Sequence, residues 1–262
     1  MIDKKSLILE RIIREYLKTP EPIGSEQLKT KLHIKISSST IRSYFKKLED
    51  GGFLMQIHIS SGRIPTNSAL KSYWKSILIP LDKINISSVD NLKESAENEN
   101  IFFIAKFIKE NNLVETINVR DKYLLLVFTE GEIVVEHSNA LERFLQGFLG
   151  FDLNDLKQIC NQVGAFNLSK KIDGFLSEDE LQRAGNRELA EMYHNQMVDE
   201  HFFLNSIDGS LIDRVEDGLN FISKEYMLIK QDALIEERKA KLISLGHLSR
   251  DFENFFNKAM KE

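Results

Sequence analysis

The sequence predicts an α+β protein, with an N-terminal winged helix-turn-helix domain followed by a larger α+β domain. Three observations carry that prediction. The chain has 262 residues, 42% of them hydrophobic, which suits two packed cores better than one minimal domain. Its formal charge of −5 is unevenly spread: residues 1–80 hold 14 Lys and Arg against 7 Asp and Glu, and the remainder holds 21 against 33. A basic third on an acidic body fits a polyanion-binding module joined to something with a different partner, although segregated solvated charges would look the same. Finally, three helix-period segments give way to a strand–loop–strand pattern within about the first 65 residues, the order of a winged helix.

Each element has its own justification. Over residues 6–17, Leu9, Ile12, Ile13, Tyr16 and Leu17 share one helical face, and the two prolines of "TPEPIG" stop that helix. Ser25 is a candidate N-cap for a short helix "EQLKTKL". Ser37 or Ser38 then caps a third helix running to about Asp50, which the glycine pair 51–52 ends. "FLMQIHI" has strand character, "SSGR" turns and "IPT" returns. Residues 67–80 predict a fourth helix, and the polar stretch 79–100 reads as a linker. Beyond it, "IFFIAKFIKENN" predicts an amphipathic helix. "VETINVRDKYLLLVFTEGEIVVEHS" predicts two or three strands with a hairpin loop at Thr129–Glu132. "DLNDLKQICNQV" predicts a helix, residues 177–203 predict helical structure opened by a capping box at 177–180, and "RVEDGLNFISKEYM" predicts a helix or helix–loop. "LIEERKAKLISLGHL" predicts strands and "SRDFENFFNKAM" a terminal helix. Strands and helices mixed without a βαβ rhythm indicate α+β.

Composition narrows the function classes. The single cysteine, Cys160, leaves no internal disulfide framework and no cysteine-cluster zinc site. Charges interrupt the apolar residues of the N-terminal segment, and no run reaches the roughly 18 apolar residues of a spanning helix. The expectation is a soluble cytoplasmic protein with no membrane partner.

The third helix carries the most chemistry. Ile41, Phe45 and Leu48 fall at i, i+4 and i+7 and face inward, with Tyr44 at the margin. The opposite side shows Ser38, Ser39, Arg42, Ser43, Lys46 and Lys47. Short hydroxyls at a helix N-terminus sit where backbone N–H groups favour phosphate. An arginine one turn on can bridge two acceptors of guanine, and lysines follow where a groove-bound helix passes the backbone. A solvated face would also carry lysines. The loop answers to this helix: Ser60, Ser61 and Gly62 keep a hairpin tip slim, and Arg63 is the one long cation that a narrow minor groove attracts. Gly62 permits a tight turn, Pro65 fixes the exit and Ile64 can anchor the hairpin. Taken alone, the loop equally reads as a surface turn with a solvated arginine.

"EPIGSEQL", "STIRSYFKKLEDGGFL" and "SSGRIPT" resemble, in order and spacing, the N-terminal signatures of the HrcA heat-inducible transcription repressors. The likeness covers about 75 residues. The segment "VETINVRDKYLLLVFTEGEIVVEHS" is similar to a strand pair of that family, "DLNDLKQICNQV" to one of its helices, and "FISKE" more weakly to a further element. The sequence departs from the family at Ser37-Ser38-Ser39-Thr40, where a Ser-Pro-Ala-Thr is usual, and at Ser43, where asparagine is usual. It departs again at "GHLSRDF", residues 246–252, where His247 and Ser249 stand in place of proline and arginine. The resemblance implies DNA contacts from Ser38, Ser39, Thr40, Arg42, Ser43, Lys46, Lys47, Ser61, Gly62 and Arg63. It implies a winged-helix domain over 1–78, a linker over 79–100, and a GAF-like domain over 101–262 with a dimerisation insertion shortened to helices about 175–215. It also implies a homodimer on the double-stranded inverted-repeat operator called CIRCE, assistance from the GroEL chaperonin, repression of chaperone genes that heat relieves, and no cofactor.

Other candidates read more plainly. His194 and His201 lack the H-E-x-x-H spacing of a zinc helix and fit solvated or boundary positions better than ligands. Cys160 lies on an apolar stripe and reads as a buried thiol. Phe102, Phe103, Phe107, Phe252, Phe255 and Phe256 read as core or dimer contacts. No catalytic loop motif occurs, so no enzyme and no metal site is expected. Two other readings stay open: a regulator controlled by a small ligand in the GAF-like domain, and a winged helix used for protein contacts alone.

Overall fold

The computed structural model describes residues 4–32, 34–58, 61–78, 83–108, 111–176 and 181–261. Helix α1 (Lys4–Lys18) buries Ile8, Ile12, Ile13 and Leu17, α2 (Ser25–Lys31) buries Leu28, and α3 (Ser38–Asp50) buries Ile41, Phe45 and Leu48. Ile8, Ile12, Leu28, Ile41, Phe45 and Leu48 form a small helical core with Ile23 and Leu54. Ser25 is the first helical residue of α2 rather than its cap. Gly24 precedes it, and its N–H reaches the Gln27 side chain at 3.4 Å. Strands β1 (Leu54–Met55) and β2 (Ile64–Pro65) pair antiparallel. Thr66 then caps α4 (Asn67–Ile77) by accepting from the Ala69 N–H at 3.2 Å.

The stretch expected to be a linker is structured. It holds β3 (Ile84–Ile86) and α5 (Val89–Glu99), capped by Ser88 and closed by Asn100 at φ 50°. The sequence looks polar because α5 buries only a narrow stripe, Leu92, Ser95 and Ala96. The expected amphipathic helix is instead β4 (Phe102–Phe107), in which residues 102–105 are all fully buried. A strand covered on both faces shows a continuous apolar run, which periodicity alone does not separate from a buried helix.

The chain divides into two compact units, one running up to Lys106 and resuming at Leu181, the other formed by Phe107–Glu180. In the second unit β5 (Leu113–Val119), β6 (Tyr123–Phe128) and β7 (Gly131–Glu136) make an antiparallel meander. Helices α6 (Asn139–Gln146), α7 (Leu153–Gln162) and α8 (Phe166–Leu176) follow. Leu124, Leu126, Phe128, Ile133 and Val135 of the sheet share a core with Leu145, Leu156, Cys160 and Ile172 of the helices. Cys160 is fully buried, and that burial raises its thiol pKa.

The first unit resumes with β8 (Leu181–Ala184), α9 (Asn186–His194) and α10 (Glu200–Asp208). Residues 181–215 therefore include a strand that pairs with β4 and belong to this unit, not to a separate helical insertion; the segment compact in itself is 107–180. The capping box expected at 177–180 lies outside the described residues. Strand β9 (Gly218–Phe221) stands where a helix was expected. Gly218 at φ 100° turns the chain there, and Asn220 bonds back to the carbonyls of Glu216 and Gly218. Then β10 (Tyr226–Ile235), β11 (Arg238–His247) and α11 (Phe252–Ala259) complete the chain. The sheet order is β3-β10-β11-β4-β8, with β9 also on β10. Strand β3 runs parallel to β10, while β9 and β11 run antiparallel to β10 and β8 antiparallel to β4, so the sheet is mixed and the architecture is α+β. Phe102, Ile104, Leu228, Ile243 and Leu245 point to the side covered by Leu189, Met192, Leu211 and Ile212.

Candidate nucleic-acid interface

Burial divides α3 lengthwise. Ile41, Phe45 and Leu48 are at most 4% exposed, while Ser39, Thr40, Arg42, Ser43, Lys46 and Lys47 are exposed. Ser37 caps the helix: its Oγ accepts from the Thr40 N–H at 3.1 Å and lies 2.8 Å from both the Ser39 and Thr40 hydroxyls. Three short hydroxyls thus cluster at the positive end of the helix dipole, one turn before Arg42. The Lys47 ammonium lies 5.6 Å from the centroid of the Tyr44 ring. Ser38 departs from its expected role. It is only 7% exposed, so its hydroxyl faces the helical core instead of a ligand. Its place at the first position of α3, before Ile41, turns it onto the buried side.

The hairpin is tied to α3 at its base. The Phe53 N–H donates to the Leu48 carbonyl at 2.9 Å, and the Thr66 hydroxyl donates to the Gly52 carbonyl at 2.8 Å. Near the tip, Ser61 holds His58: its backbone N–H and its hydroxyl donate to the His58 carbonyl at 2.9 and 2.7 Å, and its Oγ accepts from the His58 N–H at 3.0 Å. Met55, Ile57 and His58 are exposed, and Ser60 lies outside the described residues.

Arg63 does not project from that tip. Its side chain is 19% exposed, and its Nε donates to Glu49 Oε2 at 3.2 Å. Its backbone pairs with Ile23 through two bonds of 2.9 Å. A carboxylate on the last turn of α3 and the segment before α2 thus hold the arginine that the sequence placed in a groove. Gly62 also has a different reason from a tight turn. It lacks a positive φ, and a Cβ there would stand 2.4 Å from the Ile23 carbonyl carbon. Glycine lets the hairpin lie against the 23–24 segment. No local signal marks the brace, because Glu49 meets Arg63 only once the chain between them has folded.

His194 and His201 are exposed, whereas Phe102, Phe103, Phe107, Phe252, Phe255 and Phe256 are buried. The "GHLSRDF" segment, whose role the sequence left open, forms a polar node. Arg250 pairs with Glu188 at 2.8 Å, Glu188 accepts from the His247 N–H at 3.2 Å, and His247 Nδ1 lies 2.7 Å from the Ser249 hydroxyl. Among the described residues, no helix is long and apolar enough to cross a membrane.

A hydroxyl-capped helix that displays arginine and lysine beside a braced hairpin is compatible with the surface of a transcription regulator. The family model described as HrcA C-terminal domain matches residues 74–262, and the chain belongs to the HrcA family of transcription repressors. It is similar to the heat-inducible transcription repressor HrcA of Helicobacter pylori strain J99, 29% identical over 262 residues, which span 100% of this chain and 96% of that one. The HrcA of Fructilactobacillus sanfranciscensis is 24% identical over 287 residues, covering 100% of this chain and 79% of the relative. That of Pediococcus pentosaceus is 40% identical over 94 residues, 36% of this chain and 27% of the relative.

Proposed function

We propose that the protein is a cytoplasmic, heat-inducible repressor whose N-terminal winged helix reads an inverted-repeat operator of the CIRCE type as a homodimer, with the GroEL chaperonin assisting its active state. The observation that carries the reading is α3 itself: its inner face is fully packed, and Ser39, Thr40, Arg42, Ser43, Lys46 and Lys47 stand in solvent. Arg42 lies where a recognition helix reads a base edge, and Lys46 and Lys47 where it passes phosphate. Two-fold pairing supports selectivity, because one helix contacts too few bases and two must match both half-sites. Ser61, Gly62 and Arg63 contribute by bracing the hairpin against α3 and the segment before α2, and exposed His58 is placed for a flanking contact.

The test is a gel-shift on a CIRCE-type repeat and a scrambled duplex at two salt concentrations, with and without chaperonin. Preference for the repeat that survives the higher salt supports the reading; equal, salt-sensitive binding to both defeats it. Within that assay, Arg42→Ala costs about 1–3 kcal/mol of discrimination at one base pair, while Lys46→Ala weakens all sequences alike and lowers the salt slope by about 1. A matched loss in both variants on every duplex would remove the base-reading role of Arg42.

A further inference from the structure

The helices around α3 are not attached to the rest of their unit by a linker alone. Glu253, in the first turn of α11, receives two of them at one oxygen: Arg14 of α1 lies 3.3 Å from its Oε2, and the Tyr73 hydroxyl of α4 donates to the same atom at 3.0 Å. Beside this point the Trp74 indole N–H donates to the Leu248 carbonyl at 2.8 Å. Trp74 and Phe252 are fully buried and meet edge to face, with centroids 5.6 Å apart. One turn earlier on α4, Lys71 donates to the Ser223 carbonyl at 2.7 Å and lies 5.0 Å from the centre of the Phe221 ring.

These contacts divide the work. The buried rings supply the attachment, since a desolvated aromatic pair and an indole hydrogen bond hold regardless of small rotations about them. The Glu253 contact adds little energy, because Arg14 is 40% exposed and Glu253 is 31% exposed. It adds direction. A carboxylate oxygen bonded to α1 and α4 together favours one angle between those helices and α11. The core then passes that angle on, because Ile8 and Ile12 of α1 pack in the same cluster as Ile41 and Phe45 of α3. The recognition helix thereby takes its orientation from the C-terminal sheet layer.

We propose that Glu253 is a positioning residue for operator binding, fixing the orientation of α3 relative to the C-terminal part of its unit so that two copies present their recognition helices at one spacing. The inference rests on the repressor reading above. It differs from a folding role, which would weaken every DNA contact equally. A half-site needs only one correctly folded α3, whereas an inverted repeat needs two at a set separation.

The experiment uses the full chain and the Glu253→Ala and Tyr73→Phe variants on three duplexes: one half-site, the inverted repeat, and the repeat with its half-sites moved one base pair further apart. The expected result for Glu253→Ala is a loss of about tenfold on the repeat, a smaller gap between the two spacings, and half-site affinity within about twofold of the parent. Tyr73→Phe shifts in the same direction by less. Unchanged affinity for the repeat overturns the proposal, and so does an equal fall on half-site and repeat, which would mark Glu253 as a folding residue. A parent protein that does not prefer the repeat over a scrambled duplex would defeat the repressor reading instead. The positioning claim is then decided without DNA. Spin labels at Asp50→Cys on α3 and Asn98→Cys on α5, with buried Cys160 unlabelled, report one distance distribution. Glu253→Ala must broaden or shift it, and an unchanged distribution sinks the claim.

Discussion

Glu188 is a buried carboxylate whose charge must be met inside the fold. Its side chain is 2% exposed against 30% for its partner Arg250, so the two ends of the pair are unequal. Burial raises the Glu188 pKa, while Arg250 and the His247 N–H pull it down. Removing the arginine leaves a carboxylate in the interior with one hydrogen bond; removing the carboxylate leaves a cation that still reaches water. Arg250→Ala therefore destabilises the protein by about 3 kcal/mol, and by more than Glu188→Gln does, as read from chemical denaturation. Equal losses would mean that the pair is solvated. His247, next in the same segment, sets a pH dependence. Its burial lowers its pKa below the ordinary 6.5, against the opposing pull of Glu225. The unfolded chain then takes up the proton first as pH falls. The contribution of His247 is present above about 6.5 and lost as pH drops through the folded value, with a slope of at most about 1.4 kcal/mol per pH unit for one proton. Glu188 acts in the other sense, its raised pKa favouring the fold at lower pH, so the parent curve alone does not separate them. Stability measured from about pH 7.5 to 5.5 should fall less steeply in His247→Gln than in the parent; parallel curves would remove His247 from the account.

Among the elements, the hairpin is the one whose attachment can be cut in two independent ways. Gly62→Ala places a Cβ 2.4 Å from the Ile23 carbonyl carbon, a backbone atom that cannot rotate away. The hairpin must lift from the 23–24 segment, at a cost of about 1–3 kcal/mol in thermal or denaturant unfolding. Arg63→Ala leaves that approach intact and removes the 3.2 Å bond to Glu49, a part-exposed pair worth about 0–1 kcal/mol. It thus changes stability little and weakens DNA binding without a base preference, because the hairpin loses its brace to α3 and not a groove contact. A selective loss on A·T-rich flanks would restore Arg63 to the groove. The contrast shows what the sequence made legible. Apart from Ser38, expected on the outer side but buried, the inner and outer faces of α3 follow from spacing, since a solvent-exposed helix on a small core writes its burial into every third or fourth residue. Arg63 was visible as a residue but not as a brace, because its partner Glu49 is selected by the fold of the chain between them. Strand β4 was misread for the opposite reason: with residues 102–105 buried on both faces it has no amphipathic signature. The short β8 depends on pairing with β4, far away in sequence and outside any local window, whereas β9 pairs with β10 just beyond it, a hairpin that its polar residues and lack of alternation concealed.

At the scale of the molecule, the division of the chain can be tested by removing one unit. The segment Phe107–Glu180 holds its own sheet, three helices and a core that runs from Leu113 to Ile172. The chain leaves for it at the end of β4 and returns at the start of β8. Those two strands are antiparallel neighbours, paired from Phe103 with Ala184 to Lys106 with Leu181. Lys106 and Leu181 are thus direct cross-strand partners, the geometry that a two-residue type I′ turn closes. Replacing residues 107–180 by Asn-Gly should convert β4 and β8 into an ordinary hairpin and leave the six-stranded sheet, α9 and the N-terminal helices in place. Shortening the connection also lowers the entropy cost of bringing the two strands together. The expected product unfolds in one cooperative transition, keeps the Trp74 fluorescence of the parent and binds a single operator half-site with the parent's affinity. The Trp74 indole bonds to Leu248, so its emission reports whether the attachment of α4 survives. A product that is insoluble, or that exposes Trp74 to water, would show that the sheet of the first unit needs residues 107–180 to form. In that case the two units would fold as one, despite their separate cores.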